Sequence, residues 1–267
     1  MSIQTLYTAA TGMQSMEQKL DVIANNMANI NTTAFKKGRA NFEDLFYRHE
    51  TLPGALDAGG QYTPVGISYG LGSRVSSIQT DQRQGSFQHT KRDLDVAIEG
   101  KGFFKVSDPT GETLYTRAGN LNINANGQLV IGSASTGRLL DPAITIPNDA
   151  THIEISSDGK VFTKQAGDAQ MTQQGQIALA QFINPEGLLK MGENLYSETD
   201  ASGSPTDSNP QQDGAGALRQ NFLEASNVEP VSELIDLIQT QRSFEINSQM
   251  VQAGDQMLQV VANLKRV

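Results

Sequence analysis

LYTAATGMQSMEQKLDVIANNMANI, residues Leu6–Ile30, decides the fold class. Leu6, Met13, Leu20 and Met27 recur every seven residues, and Ala9, Met16, Ile23 and Ile30 form the interleaved series. No glycine or proline follows Gly12 until Gly38. An apolar seam of period 3.5, held over four heptads, predicts one long helix with a narrow contact face. Thr32 and Thr33 continue a helix poorly, so the helix is expected to end near Asn31. Asn25, Asn26 and Asn29 flank the seam. They read either as fraying near a helix end or as amides that hydrogen-bond to neighbouring helices.

The other end of the chain mirrors this one. After Pro230 no further proline occurs up to Val267. Leu237, Phe244, Val251 and Leu258 are seven apart, and Ile246, Met250, Ala253, Met257, Val260 and Leu264 follow at 4-3-4-3-4 spacing. Ser226 or Asn227 is the expected N-cap, with Glu229 and Pro230 in the first turn. Lys265 and Arg266 suit the negative end of the helix. Two such helices most simply pair with each other. The second face is wider than one narrow partner can cover, so the sequence predicts a self-assembling module whose ends become ordered on polymerisation. The expected assembly interface comprises Leu6, Met13, Met16, Leu20, Ile23, Met27 and Ile30 on the first helix. On the second it comprises Leu237, Phe244, Met250, Val251, Met257, Leu258 and Leu264.

Between the helices the apolar period falls from 3.5 to 2. Asp93–Glu99 alternates as a strand and turns at Gly100-Lys101-Gly102 into Phe103–Val106. Asn126-Gly127 and Asp158-Gly159 each sit between short apolar runs and read as hairpins. Ile177–Phe182 reads as a further strand, and 200–216 as a Gly/Ser/Pro/Asp loop. The fold class is therefore α+β: long N- and C-terminal helices paired as a coiled-coil-like shaft, with an inserted, mainly antiparallel β domain. The expected division is residues 1–35 with 222–267 as a terminal helical domain, 36–72 as an extended linker, and 73–221 as the β domain.

Composition excludes much else. The 267 residues carry 20 Lys plus Arg against 29 Asp plus Glu, a net charge of −9, so a nucleic-acid backbone is a poor partner. There is no cysteine, which excludes disulfides, thiolate catalysis and Cys-ligated metals. Apolar runs are only a few residues long, so membrane insertion is not expected. The first thirty residues do not read as a cleaved signal peptide. His49, His89 and His152 lack ligand spacing, and Gly100-Lys101-Gly102 lacks the spacing of a phosphate loop. The acids of 200–213 lack the ligand order of an EF-hand. Asp93 and Asp95 share a strand face but need a cleft to act as a catalytic pair. No catalytic, cofactor or metal site is expected, and the chain does not read as an enzyme.

Two terminal stretches carry a family resemblance. ANNMANINTTAFKKGRANFEDLFY, Ala24–Tyr47, and ASNVEPVSELIDLIQTQRSFEINSQMVQAGDQMLQ, Ala225–Gln259, resemble the signatures of bacterial flagellar rod and hook axial proteins. GISYGLGSRV (66–75), DLDVAIEGKGFFKV (93–106), YTRAGN (115–120), PAITIP (142–147) and GENLY (192–196) resemble the distal rod branch in particular. The likeness runs along nearly the whole chain and is weakest at about 197–213. Ala34 departs from it, because many relatives carry glycine there, which bears on the turn leaving the first helix. The resemblance implies a subunit exported unfolded by the flagellar type III apparatus. Such subunits polymerise helically into a hollow drive shaft that crosses the periplasm and carries torque to the hook. Terminal helices would form the inner tube and the β domain the outer layer. The segment at about 48–72 would stiffen the shaft through inter-subunit contacts. Implied partners are further copies of the chain, proximal rod and hook-side axial proteins, and the peptidoglycan and outer-membrane ring proteins. A proximal rod or hook subunit is the alternative reading.

Overall fold

The computed structural model describes residues 3–54, 56, 61–62, 64–132, 137–167 and 170–264. It contains a long helix at each end, α1 (Ile3–Ala28) and α2 (Pro230–Leu264), with β structure between them. Every strand pairing among the described residues is antiparallel. The α+β class read from the sequence therefore holds. Packing divides the chain into two units, residues 1–28, 38–80 and 229–267 in the first and 29–37 and 81–228 in the second.

In the first unit, α1 and α2 lie against each other and run antiparallel. Three close approaches fix their register: Asn26 with Glu233, Gly12 with Asn247, and Leu6 with Gly254. α1 ends at Ala28 rather than near Asn31. The Thr32 N–H bonds to the Asn29 carbonyl at 3.2 Å, and the Thr32 hydroxyl donates to Asn29 Oδ1 at 3.0 Å. These local bonds compete with the helix ladder and turn the chain. α2 starts at Pro230, where the missing N–H costs no helical bond. Ser226 accepts the Val228 N–H at 3.3 Å, and Asn227 bonds to Lys37, Asp81 and Arg83. Neither caps α2, contrary to the expectation. The Glu233 N–H donates to the Glu229 carbonyl at 3.1 Å, in the first turn of the helix.

The segment read as an extended linker holds paired strands. Gly38–Asp44 pairs with Ser73–Thr80, and Tyr47–Thr51 pairs with Ile67–Gly70. Leu45 and Gly72, then Phe46 and Leu71, bridge the two pairs by backbone bonds of 2.9 and 3.1 Å. The result is one long two-stranded arm. Its root touches α1, where the Ser15 hydroxyl donates to the Ser73 carbonyl at 3.2 Å. At Gly72, with φ 121°, a Cβ would lie 2.0 Å from the Thr11 hydroxyl. Gly72→Ala therefore meets both a backbone penalty and a clash. It is expected to cost about 2–3 kcal/mol and to free the arm root from α1, read as faster amide exchange over Ser73–Thr80 in the variant.

The second unit is the β domain. Phe103–Ser107 runs through its main sheet. One edge pairs with Thr113–Thr116, and the other is shared by Leu179–Gln181 and Gly137–Leu140. Phe103 and Phe104 point to opposite faces, as neighbours on a strand must. Phe104 joins the main core with Val96, Ile98, Leu121, Val161 and Leu179, all fully buried. Phe103 joins an aromatic cluster with Tyr115, Phe182 and Tyr196. Both hairpins read from Asn126-Gly127 and Asp158-Gly159 are present, and each glycine takes a positive φ, 77° and 86°. The strand expected over Asp93–Glu99 is shorter, Val96–Glu99, and Val96, Ala97 and Ile98 are all buried. The alternation in sequence misled because this strand is covered on both faces. Within 200–216, Thr206–Ser208 forms a strand against Leu179–Gln181.

Candidate assembly surface

α2 divides into three faces. Along the seam with α1 lie Glu233, Leu237, Thr240, Phe244, Asn247, Val251 and Gly254, all buried or half-buried. Alternate seam positions are therefore Glu, Thr, Asn and Gly instead of leucine. Small side chains let the two backbones approach: a Cβ on Gly254 would sit 2.5 Å from Leu6 Cδ2, and one on Gly12 would sit 3.1 Å from Asn247 Nδ2. The Asn26 amide donates to Glu233 Oε2 at 3.2 Å and to the Gly38 carbonyl at 2.9 Å, and it accepts the Gly38 N–H at 2.9 Å. Asn26 thus joins α1, α2 and the arm root. Of the two readings left open for these asparagines, the inter-helix amide describes Asn26. Polar contacts at such positions fix register while contributing little net stability.

The second face of α2 is apolar and exposed. Ile246, Met250, Ala253, Met257 and Val260 lie along it, with Ile246 57% and Val260 58% exposed. A third face carries Glu245, Gln249, Gln252, Gln256, Gln259 and Asn263, all exposed. Seam, apolar stripe and glutamine stripe follow one another around the helix at heptad spacing from Glu245 to Asn263; toward the helix start the line of the glutamines continues as Arg242 and the exposed Ile238, Ile235 and Val231.

The residues expected at the interface separate accordingly. Leu6, Met13, Met16, Leu20, Ile23 and Met27 lie on α1 and are buried or half-buried. Ile30 lies beyond the end of α1, in the turn. Leu237, Phe244 and Val251 lie in the seam, and Leu258, 38% exposed, continues it toward the chain end. Met250 and Met257, 49% and 48% exposed, belong to the outward stripe. The Leu264 side chain lies outside the described residues, as do Lys265 and Arg266.

The arm contains the segment that the resemblance assigns to inter-subunit contacts. Phe46, Leu52, Leu56, Tyr62 and Val65 are 61–88% exposed. These exposed apolar side chains make the arm a candidate interaction surface. Beside the middle of the arm, Gln4, Thr8, Ala9, Arg48, Tyr69 and Met250 line a groove of about 710 Å³. No described helix is long and apolar enough to cross a membrane. Among the described residues no His, Asp and Glu side chains gather to hold a metal ion.

Comparison with known proteins bears on what this surface assembles. Residues 6–36 match the family described as flagella basal body rod protein, and residues 219–264 match the flagellar basal body rod FlgEFG protein C-terminal family. Residues 97–163 match the flagellar hook protein FlgE/F/G D1 domain. The flagellar basal-body rod protein FlgG of Caulobacter vibrioides is 44% identical over 264 residues, covering 98% of this chain and 100% of the relative. FlgG of Bacillus subtilis is 40% identical over 267 residues, covering 99% and 100%. The flagellar hook-basal body complex protein FlhP of Bacillus subtilis is similar at 31% over 275 residues, covering 98% and 100%.

Proposed function

This chain belongs to the FlgG family of flagellar basal-body rod proteins, the distal rod subunits, and from that premise we propose how its surfaces build the rod. Copies polymerise helically through the helix pairs, and the resulting hollow shaft transmits torque through the periplasm to the hook. The terminal helices α1 and α2 form the inner tube, the arm within 38–80 crosses to neighbouring copies, and the β unit forms the outer layer. The division of α2 into three faces carries this reading. Over the C-terminal half of α2, one face pairs within the chain, one has apolar area left for another copy, and one is uncharged and polar from Gln249 to Asn263. A tube that passes unfolded chains needs a lining without exposed apolar patches. Gln14, Gln18, Asn25 and Gln252 are all exposed and are assigned to that lining. The exposed apolar tip of the arm is assigned to contacts that stiffen the shaft.

The shaft's neighbours are then proximal rod proteins below, hook-side axial proteins above, and the peptidoglycan and outer-membrane rings around it. Subunits reach it unfolded through the type III export apparatus. The alternative, another axial subunit, is disfavoured by the step in identity from 44% for FlgG to 31% for FlhP.

Electron microscopy of basal bodies from a strain lacking this gene tests the reading. A truncated rod without a hook is expected. A complete rod that lacks only its hook would move the chain to the hook class, and intact flagella would remove the assignment altogether. The lining is tested separately. The chain has no cysteine, so single cysteines at 14, 18, 25 and 252 report uniquely. In assembled polymer each is expected to react with a small thiol reagent that can enter the channel. Protection of all four against neighbouring subunits would sink the placement.

A further inference from the structure

Three separate stretches of chain meet in the β unit around one buried carboxylate. Lys36 and Glu224 are each 1% exposed and Arg117 is 6% exposed. Lys36 Nζ donates to Glu224 Oε1 at 2.6 Å and to the Arg83 carbonyl at 2.8 Å. The Gly85 N–H donates to the same Oε1 at 3.0 Å. Arg117 Nε donates to Glu224 Oε2 at 2.8 Å, and its remaining N–H groups reach the carbonyls of Gly102, at 2.9 Å, and Gly100. Burial pushes the Glu224 carboxyl up, but Arg117 and Lys36 outweigh it and hold the group below the ordinary range. Burial pulls Lys36 below the ordinary lysine value, offset only in part by Glu224.

Backbone bonds repeat the same connections. The Ala34 N–H donates to the Glu224 carbonyl at 2.8 Å, and the Asp81 N–H donates to the Lys37 carbonyl at 2.9 Å. Asn227 accepts the Lys37 N–H and donates to the carbonyls of Asp81 and Arg83, at 2.8, 2.8 and 3.1 Å. Residues 34–37, 81–85 and 224–227 are thus tied to one another, and Arg117 ties them to the loop at 100–102. A buried ion pair contributes little stability beyond what apolar packing would give. What it does supply is direction, because a carboxylate with three charged or backbone donors has one placement that satisfies them all.

We infer that Lys36, Glu224 and Arg117 form a clasp that closes the β unit where the chain enters and leaves it, and so holds the roots of the two helices together before a second copy binds. α1 ends at Ala28, shortly before Lys36, and α2 begins at Pro230, shortly after Glu224. Tethering both roots raises the effective concentration of one helix for the other. The seam contacts set the register of the helix pair, and the clasp favours their meeting by keeping the two chain ends of the β unit together. It lies outside the helices and the arm, and it goes beyond the rod reading, on which only the polymerisation arm of its test rests.

The test uses full-length Lys36→Met, which keeps the carboxylate paired with Arg117 and Gly85, and Asn227→Ala, which leaves no charge unpaired. Amide exchange is expected to speed up at least ten-fold, together, at Ala34, Lys37, Asp81 and Gly85 in both variants, while Phe104 and Leu179 keep their protection. Faster exchange confined to 34–37 would show that the segments are not coupled and would overturn the clasp. Loss of protection at Phe104 as well would reduce it to an ordinary core contact. The concentration needed for polymerisation is expected to rise at least ten-fold, and an unchanged value beside an opened clasp would refute the tethering. Wild-type chain that forms no polymer under any condition would count against the rod reading, while the exchange data would still decide the clasp.

Discussion

Val251→Asp is expected to abolish polymerisation while the β unit stays folded. Val251 sits half-buried in the seam between Asn247 and Gly254, the two places where α2 comes closest to α1. An aspartate there would bring a hydrated carboxylate to the edge of an otherwise uncharged stretch of the seam. A charge moved into such a seam costs several kcal/mol unless it is paired, on the order of 3 kcal/mol for a site that keeps some exposure. The one basic residue of α1, Lys19, is far from this level of the seam, and the Arg48 that lines the groove beside Met250 belongs to the arm. The variant should therefore lose helix signal in circular dichroism and show no polymer at a hundred-fold excess over the wild-type threshold. The β unit should unfold in denaturant at the wild-type midpoint. Leu20→Asp on the facing helix should behave alike. Polymer at wild-type concentration from either variant would mean that the seam is not what orders the ends.

Much of this was legible in sequence because a heptad repeats. Leu6 to Met27 and Leu237 to Leu258 declare their helices through a period that no strand shares, and the two hairpin turns declare themselves through Asn-Gly and Asp-Gly. The arm did not, for a physical reason. Its strands Tyr47–Thr51 and Ile67–Gly70 are exposed on every residue, so no buried face imposes alternation. Residues 52–66 separate them in sequence, so no two-residue turn marks the hairpin either. The polar half of the seam was also hidden. Glu233, Thr240 and Asn247 read as surface residues of a helix, and only the structure puts them against α1. Asn227 looked like a helix cap because its residue type favours that place. Its amide is instead occupied by three other chain segments. The glycine expected by resemblance at Ala34 is explained too. Ala34 has φ 57°, a conformation that glycine adopts without strain, and here its methyl group is 3% exposed and packed.

A paired substitution on the outward stripe, Met250→Asp with Met257→Asp, separates assembly from helix order. Both side chains lie one heptad apart and about half exposed. Carboxylates there remain in water in the single subunit, so stability and helix signal should stay within about 0.5 kcal/mol of wild type. In the proposed polymer the same positions face another copy. Full burial of a methionine is worth about 1.5–3 kcal/mol, and roughly half of that remains to be gained when the second copy arrives. Two lost side chains therefore remove about 1.5–3 kcal/mol per subunit, before the cost of burying two charges is added. That corresponds to a threshold concentration raised by about 10- to 100-fold at the least. Gln252→Ala, on the adjoining polar stripe one residue from Val251, should leave the threshold unchanged. The contrast decides the reading. Val251→Asp removes helix order and polymer together, and the methionine pair removes polymer alone. If the methionine pair polymerises normally while Gln252→Ala does not, the apolar and polar faces of α2 have exchanged roles, with glutamines at the contact between copies and methionines toward the channel.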